Sequence, residues 1–374
     1  MMLNTPFAPP KPSMERLQDL VYVAVNTLGT PEEDGRVYLD AATCAYIAIG
    51  GIDQPADNGG EYYRFDVTKR DLLSGANRGL SYCTAGATAR FVTDAETVVI
   101  DAKLRNAITG MSHFCNRGVY GFDMLVGTGT DRSYSGGVMQ MFVGTPDAMK
   151  DTMNVGAGLK EVQVNFPLYG GVESLRFGFP AEAKIAYPTA RSFKPIAFYG
   201  SSITQGGCVG RPGNSYCNIV CRALDADCRN LGFSGSAMGE QVIAQYIADI
   251  DNMSAFIMDY DYNNTTEGLL ATHYDFYKTV RDAHPDIPII ILTRSVYKDE
   301  LSAVDHTRVA IIKETYDRAV AEGDKNVYFI QGDDYFSDDY PDWNTVDSVH
   351  PDDLGMYNFA KTVYPLLKQV LDAN

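Results

Sequence analysis

The sequence predicts two domains of different class: an all-β, jelly-roll-like sandwich over residues 1–190 and a three-layer α/β domain over residues 191–374. Three observations carry this division. A chain of 374 residues exceeds what one hydrophobic core usually supports. Up to about residue 190 the apolar residues alternate in short runs broken by glycine-rich turns. From about residue 195, short apolar strands alternate with amphipathic helical stretches instead.

In the first half, Arg36-Val37-Tyr38-Leu39, Tyr62-Tyr63-Arg64-Phe65-Asp66-Val67 and Ala89-Arg90-Phe91-Val92 are strand candidates. Thr97-Val98-Val99-Ile100-Asp101-Ala102-Lys103-Leu104 is the clearest, because Val98, Ile100, Ala102 and Leu104 share one face. Further strands are expected at 137–143 and 161–166. Many short strands with turns between them, and no long helical pattern, give a sandwich.

In the second half, residues 196–199, 255–258, 287–292 and 327–330 are β-rich and nearly all apolar. Strands of that kind are buried on both faces, as in a parallel sheet. Helices are expected over 269–281, over 305–322 with Gly323 closing the helix, and over 353–371 with a kink at Pro365. An open α/β sheet binds its ligands at the carboxyl ends of its strands, so the segments that follow the strands are where chemistry is expected.

Composition limits the function. With 45% hydrophobic and 21% charged residues this is an ordinary globular chain. A net charge of −17, with no Lys/Arg cluster, argues against nucleic-acid binding and against anionic membrane surfaces. The first ten residues lack the basic and apolar regions of a signal peptide, and no apolar run is long enough to span a bilayer. The seven cysteines are irregularly spaced without a Cys-x-x-Cys pair, and Cys217 and Cys221 share a helix face that suits core packing. Reduced thiols in a cytoplasmic protein are the expectation. The five histidines show no ligand-like pairing, so neither a metal nor another cofactor is expected.

One segment stands out. Ala197-Phe198-Tyr199-Gly200-Ser201-Ser202-Ile203-Thr204-Gln205-Gly206 ends an apolar strand in Gly-Ser-Ser, and Asp347-Ser348-Val349-His350 lies near the C-terminus. A serine hydroxyl is a weak nucleophile until a base takes its proton, and that base works best when a third group orients it. Ser202 suits the first role, on a turn before a helix whose N-terminal amides favour negative charge. His350 suits the second, with Asp347 three residues before it to hold one ring nitrogen. Each piece alone also has a plain explanation: serines cap helices, and an Asp-x-x-His pair is unremarkable in so acidic a chain. Acyl transfer needs oxyanion donors as well. Asn230-Leu231-Gly232-Phe233-Ser234-Gly235 and Asp259-Tyr260-Asp261-Tyr262-Asn263-Asn264 follow successive strands and supply candidates.

On these residues the C-terminal half resembles an SGNH (GDSL-type) hydrolase, a family named for Ser, Gly, Asn and His in four blocks. Ser202 matches the nucleophile, with Ser201 in place of the usual Asp, and Gly235 matches the glycine of the second block. Asn263 matches the asparagine of the third, with Asp261 where Gly is usual and Asn264 where Asp is usual, which leaves Asn264 as the alternative. Asp347 and His350 match the last block. The run through Cys208 to Arg211-Pro212-Gly213 resembles a branch with an N-terminal Gly-x-Asp-Leu-Tyr domain. Gly121-Phe122-Asp123-Met124-Leu125 keeps only the Gly and Asp of that signature.

The resemblance implies a flavodoxin-like C-terminal fold and an oxyanion hole from the Ser202 and Gly235 amides and the Asn263 side chain. It also implies a carbohydrate O-acetylesterase, acting on a small-molecule or oligosaccharide ester without a cofactor. Trp343, just before Asp347 among twenty-four tyrosines and no other Trp, and Tyr262 are candidate substrate contacts; packing roles are the alternative for both, and for Tyr260. An acyltransferase would share the same acyl-enzyme, and a carbohydrate-binding protein with an inactive α/β half is the reading from another class. The first domain could shape the site's rim, bind glycan, or make a homo-oligomer.

Overall fold

The computed structural model describes residues 15–108, 111–138, 146–295, 302–336 and 341–373. It divides into two compact units, the first comprising Met1–Thr68, Gly79–Ser192 and Arg211–Gly213, the second Lys69–Arg78, Phe193–Gly210 and Asn214–Asn374.

The first unit is two antiparallel sheets. One contains β1 (Val23–Ala24), β3 (Ala48–Gly50), β4 (Thr88–Thr93), β6 (Phe122–Val126), β7 (Ser133–Val138), β9 (Lys160–Asn165) and β11 (Lys184–Ala186), ordered β1-β11-β4-β9-β6-β7 with β3 also on β4. The other is β2 (Arg36–Asp40), β10 (Val172–Pro180), β5 (Thr97–Leu104) and β8 (Ala148–Asn154), in that order. Short helices α1 (Glu15–Gln18), α2 (Gly75–Leu80) and α3 (Asn116–Tyr120) occur along this part of the chain. The sheets face each other through aromatic side chains: the Phe91 ring of β4 lies 5.1 Å from that of Phe177 and 5.2 Å from that of Phe179, both on β10. On β5, Val98, Ile100, Ala102 and Leu104 are all buried, as their alternation requires.

One strand expectation needs correction. Residues 62–67 form no strand; the chain there is irregular and runs into a 3₁₀ turn, Val67–Leu72. Tyr62, Tyr63 and Phe65 are buried, which is why the segment looked like a strand. Its backbone is satisfied by side chains and loops instead of a ladder: Asn58 Nδ2 donates to the Tyr63 and Phe65 carbonyls, Asn58 Oδ1 accepts from the Val67 amide, and the Arg64 amide donates to Ser81. The expected strand at 137–143 ends, so far as residues are described, with β7 at Val138; the rest lies outside them. β10 was not expected. Its register shifts between Val172 and Ser174, and beyond the shift Leu175, Phe177 and Phe179 alternate as buried residues on one face.

The first unit also joins two motifs. Asp123, buried on β6, accepts from Asn165 Nδ2, Arg211 Nη1 and the Gly213 amide at 2.5, 2.6 and 2.8 Å. The Asp of the drifted signature is thus the anchor of Arg211-Pro212-Gly213.

The second unit is a five-stranded parallel sheet of β12 (Ile196–Gly200), β13 (Cys228–Gly232), β14 (Ala255–Asp259), β15 (Ile289–Leu292) and β16 (Val327–Ile330), ordered β13-β12-β14-β15-β16. α4 (Ser202–Gln205), α5 (Tyr216–Leu224), α6 (Gln241–Ala248), α7 (Thr266–Ala283), α8 (Ala303–Ala321) and α9 (Asp353–Ala373) complete it. The chain leaves β12 to one side for β13 and returns past it to β14. Right-handed crossovers therefore put α5 on one face, where it packs on α9, and α6, α7 and α8 on the other. The reversal at β12 opens a crevice at its carboxyl end. Gly323, at φ +95°, ends α8 after Glu322, and α9 runs through Pro365. Among the described residues no helix is long and apolar enough to cross a membrane.

Candidate active site

The site begins where β12 stops. A Cβ on Gly200 would lie 2.0 Å from Thr204 Oγ1 and 2.2 Å from the Asp259 carbonyl oxygen, so only glycine lets the chain turn here. Ser201 caps α4, its hydroxyl accepting from the Ile203 amide at 3.2 Å. An N-cap needs a side-chain acceptor, which serine supplies as aspartate does; the departure from Gly-Asp-Ser therefore keeps its local purpose. α4 ends after four residues at Gly206, φ +99°. It is a single turn that raises Ser202, shorter than the dipole-bearing helix expected there.

His350 and Asp347 come from a loop that fastens itself. The Val346 amide donates to the His350 carbonyl at 3.0 Å, and Thr345 and Pro351 form an isolated bridge across the same neck. Ser348 sits at φ +68°, which tightens the turn. Asp347 is folded back onto its own loop: Oδ1 accepts from the Val349 and His350 amides at 3.0 and 2.7 Å, and Oδ2 meets His350 Nδ1 at 2.7 Å. The other ring nitrogen, Nε2, lies 2.8 Å from Ser202 Oγ. Partial burial pushes the Asp347 carboxyl up, but the His350 amide and ring and the Val349 amide outweigh this and hold it below the usual carboxylate range. Asp353, the first residue of α9, accepts from the Gly210 amide at 2.9 Å and so links the two loops. Serine, imidazole and carboxylate thus form a continuous chain of hydrogen bonds.

The oxyanion candidates sit at the neighbouring strand ends. Gly235 follows β13 at φ +68°, and a side chain there would meet open space. Its turn is set by the Ser234 amide donating to buried Gln205 Oε1 at 3.0 Å. Asn263 Oδ1 accepts from the Ala237 amide at 3.4 Å, which turns its Nδ2 the other way. Asn264 is occupied elsewhere, its Nδ2 donating to the Met238 carbonyl at 2.9 Å and to Thr272 Oγ1 at 3.3 Å. Asn264 thus serves the loop.

Of the substrate-contact candidates, Trp343 is 59% exposed, too open for a core residue. The Tyr262 hydroxyl is committed to Ser295 Oγ at 2.7 Å and its ring lies 4.6 Å beneath Arg294, so only the rest of its surface is available. Tyr260 is fully buried, its ring against Tyr199, His273 and Phe276. Cys208 does not compete as nucleophile: burial, then the charges of Asp347 and Asp352, pushes its thiol up to about 12, which keeps it protonated.

Sequence reasoning missed the residues that hold this site from behind. Asn230 Nδ2 donates to the Thr204 carbonyl at 2.7 Å, and Asp259 Oδ2 accepts from Thr204 Oγ1 and the Tyr216 hydroxyl at 2.7 and 2.8 Å. The available signal was an Asn inside one apolar strand and an Asp closing another, since polar groups at such places must have partners.

This parallel sheet, with serine, histidine and aspartate joined at its carboxyl edge, defines an SGNH-type hydrolase. Residues 193–368 match the GDSL-like lipase/acylhydrolase family, and residues 36–185 match the GxDLY domain found at the N-terminus of SGNH-hydrolase-type esterases. Residues 193–368 thus belong to the first of these families, and the chain also carries the N-terminal domain of its GxDLY branch. Among solved structures, a protein described as a GDSL-like lipase from Bacteroides ovatus ATCC 8483 is 25% identical, with a TM-score of 0.79 over 90% of this chain and 98% of that one. The salicylyl-acyltransferase SsfX3 from a tetracycline biosynthetic pathway is 16% identical, with a TM-score of 0.74 over 91% and 98%. An acetyl xylan esterase, Est2A, from the rumen bacterium Butyrivibrio proteoclasticus is 14% identical, with a TM-score of 0.55 over 90% and 99%. The latter two likenesses are of fold. Comparison with curated proteins gives no significant match.

Proposed function

We propose that this protein is a serine esterase that removes short acyl groups, acetyl first among them, from carbohydrate. The observation that carries the reading is the 2.8 Å contact of Ser202 Oγ with His350 Nε2, continued at 2.7 Å from Nδ1 to Asp347. In that network Nδ1 donates its proton to the carboxylate, which leaves the Nε2 lone pair to accept from the serine hydroxyl. Ser202 attacks the acyl carbonyl while His350 takes its proton. The Ser202 and Gly235 amides and Asn263 Nδ2 stabilise the tetrahedral oxyanion. His350 then protonates the departing sugar hydroxyl, and water, activated by the same imidazole, cleaves the acyl-enzyme. Asp347 orients the ring and stabilises its charged form.

The carbohydrate part rests on Trp343, exposed four positions before Asp347, whose ring suits the apolar face of a sugar. The catalytic machinery is assigned to residues 191–374, and residues 1–190 to an accessory sandwich of jelly-roll type, which the two facing antiparallel sheets support. Seven irregularly spaced cysteines, with no Cys-x-x-Cys pair, support a thiol-reducing compartment such as the cytoplasm. A second reading, transfer of the acyl group to an acceptor other than water, is favoured by the acyltransferase fold, whose TM-score of 0.74 exceeds the 0.55 of the acetyl xylan esterase.

The test is acetate release from p-nitrophenyl acetate and from acetylated oligosaccharides, wild type beside Ser202→Ala. The variant should lose roughly 10³-fold or more in kcat on both. Full activity in Ser202→Ala sinks the reading. Serine-dependent turnover of the small ester alone, with transfer to an added alcohol, replaces hydrolysis by acyl transfer.

A further inference from the structure

The turn that carries Ser202 is tied from behind by a carboxylate that no step of acyl transfer uses. Asp259 closes β14 and is only 6% exposed. Its Oδ2 gathers two hydroxyls, Thr204 Oγ1 at 2.7 Å and Tyr216 Oη at 2.8 Å. Thr204 lies in the single turn of α4, two residues after Ser202, and Tyr216 opens α5. The Thr204 carbonyl is held too, by Asn230 Nδ2 at 2.7 Å and Cys217 Sγ at 3.4 Å. Tyr216 cannot swing away, because its ring is packed between Phe198 and Phe359 at 5.8 and 4.2 Å. Glycine at position 200 is what lets the tip of β14 approach this closely.

We propose that Asp259 is a positioning residue for Ser202: by drawing the Thr204 and Tyr216 hydroxyls onto one oxygen it fixes α4, and with it the Ser202 Oγ, within reach of His350. The proposal rests on Ser202 as the nucleophile. Geometry of this kind is worth a great deal, since a misplacement of about 1 Å at a reacting atom costs on the order of 100-fold in rate.

The clasp depends on charge. An ionised carboxylate accepts from both hydroxyls, whereas a protonated one must find an acceptor for its own hydrogen and holds them less firmly. Burial raises the Asp259 carboxyl to about 7, opposed by the Thr204 and Tyr216 hydroxyls and assisted by the nearby charge of Asp261. The other groups facing it do not carry the change. Tyr216 and Cys217 on α5 and Tyr262 beyond β14 are all pushed up by burial and stay neutral. Asp261 is paired with Arg294 and Arg308 at 3.1 and 2.6 Å, and α4, with the sequence SITQ, has no titrating side chain. The clasp is therefore firm above neutrality and slackens as pH falls through about 7.

The test is p-nitrophenyl acetate hydrolysis and fluorophosphonate labelling between about pH 5 and 9, with thermal unfolding alongside, for wild type, Thr204→Val, Thr204→Ser, Tyr216→Phe and Asp259→Asn. Thr204→Val should lower kcat and the labelling rate by roughly 10- to 100-fold with KM nearly unchanged, and Thr204→Ser, which keeps the hydroxyl, should recover most of it. Asparagine cannot ionise and its amide hydrogens need acceptors of their own, so it stands in for the protonated carboxyl. Asp259→Asn should therefore carry the slackened clasp at every pH, with a lower kcat than wild type at pH 8 and an acid limb shallower than the wild type's by one proton. A folded Thr204→Val with wild-type kcat, or an Asp259→Asn profile that superimposes on the wild type, overturns the proposal. Should Thr204→Val not fold, Tyr216→Phe and the slope for Asp259→Asn decide it. Activity surviving in Ser202→Ala would instead sink the parent reading, whatever these variants do.

Discussion

The nucleophile turn and the acid–base loop meet at the Ser202–His350 hydrogen bond and are built on opposite principles. Ser201, Thr204 and Gln205 are buried, and the turn is held by side chains reaching in from β13, β14 and α5. In the acid–base loop Val346 and Val349 are exposed, and the bonds that shape it run between its own residues. The serine is thus placed by the scaffold and the histidine by its immediate neighbours. Damage to the first should spread through packing, while damage to the second should stay chemical and leave the fold intact.

The largest effect expected follows from that contrast. Asp347→Asn can keep the carbonyl oxygen that receives the Val349 and His350 amides, so the loop should survive with an unfolding temperature close to wild type. Its NH₂ then faces Nδ1, which forces the ring proton onto Nε2 and removes the lone pair that must accept from Ser202. A fall of roughly 10³- to 10⁴-fold in kcat is expected. A loss under tenfold, or a collapse of the fold, would break the distinction between the two loops.

Asn263, the proposed oxyanion donor, lies between these extremes, its Oδ1 accepting from the Ala237 amide. Asn263→Ala should cost roughly 10²- to 10³-fold in kcat with little effect on stability. Asn264→Ala should do the reverse, because it releases the Met238 carbonyl and Thr272 while leaving the oxyanion donors in place. Steady-state kinetics and thermal unfolding of the two variants side by side decide it, and equal kinetic losses would put the register of this block in doubt.

What was legible in the sequence follows the same division. The acid–base pair could be read because all its geometry fits within Asp347-Ser348-Val349-His350, and the nucleophile because a strand ending in Gly-Ser-Ser is local too. Parallel strands such as Ile196–Gly200 announced themselves by unbroken burial. The clasp around Thr204 joins positions 204, 216, 230 and 259, which no local pattern connects. The residues 62–67 misled for a related reason: apolar side chains report burial, whereas the partners of the backbone, here Asn58 and Ser81, decide whether burial takes the form of a strand. Thr265 and Ser302, the caps that start α7 and α8 several residues before the expected helices, were visible in principle, since each places its hydroxyl against an amide three residues on.

The smallest effect expected tests the scaffold side at its most modest contact. Ser201 accepts from the Ile203 amide and does nothing else that acyl transfer requires. Ser201→Ala should cost about 1 kcal/mol of stability, the usual worth of an N-cap, and lower the unfolding temperature by about 2–4 °C. Because the turn is also held through Thr204 and Gln205, kcat should change by less than about tenfold, far below the Asp347→Asn loss. A cap acts through the backbone, so threonine, which carries the same acceptor, should restore both quantities wherever its extra methyl fits the buried site. A loss near 100-fold in kcat with unchanged unfolding would instead give the Ser201 hydroxyl a place in the chemistry, and the substitution of serine for the family's aspartate would then be a change of mechanism, not of cap.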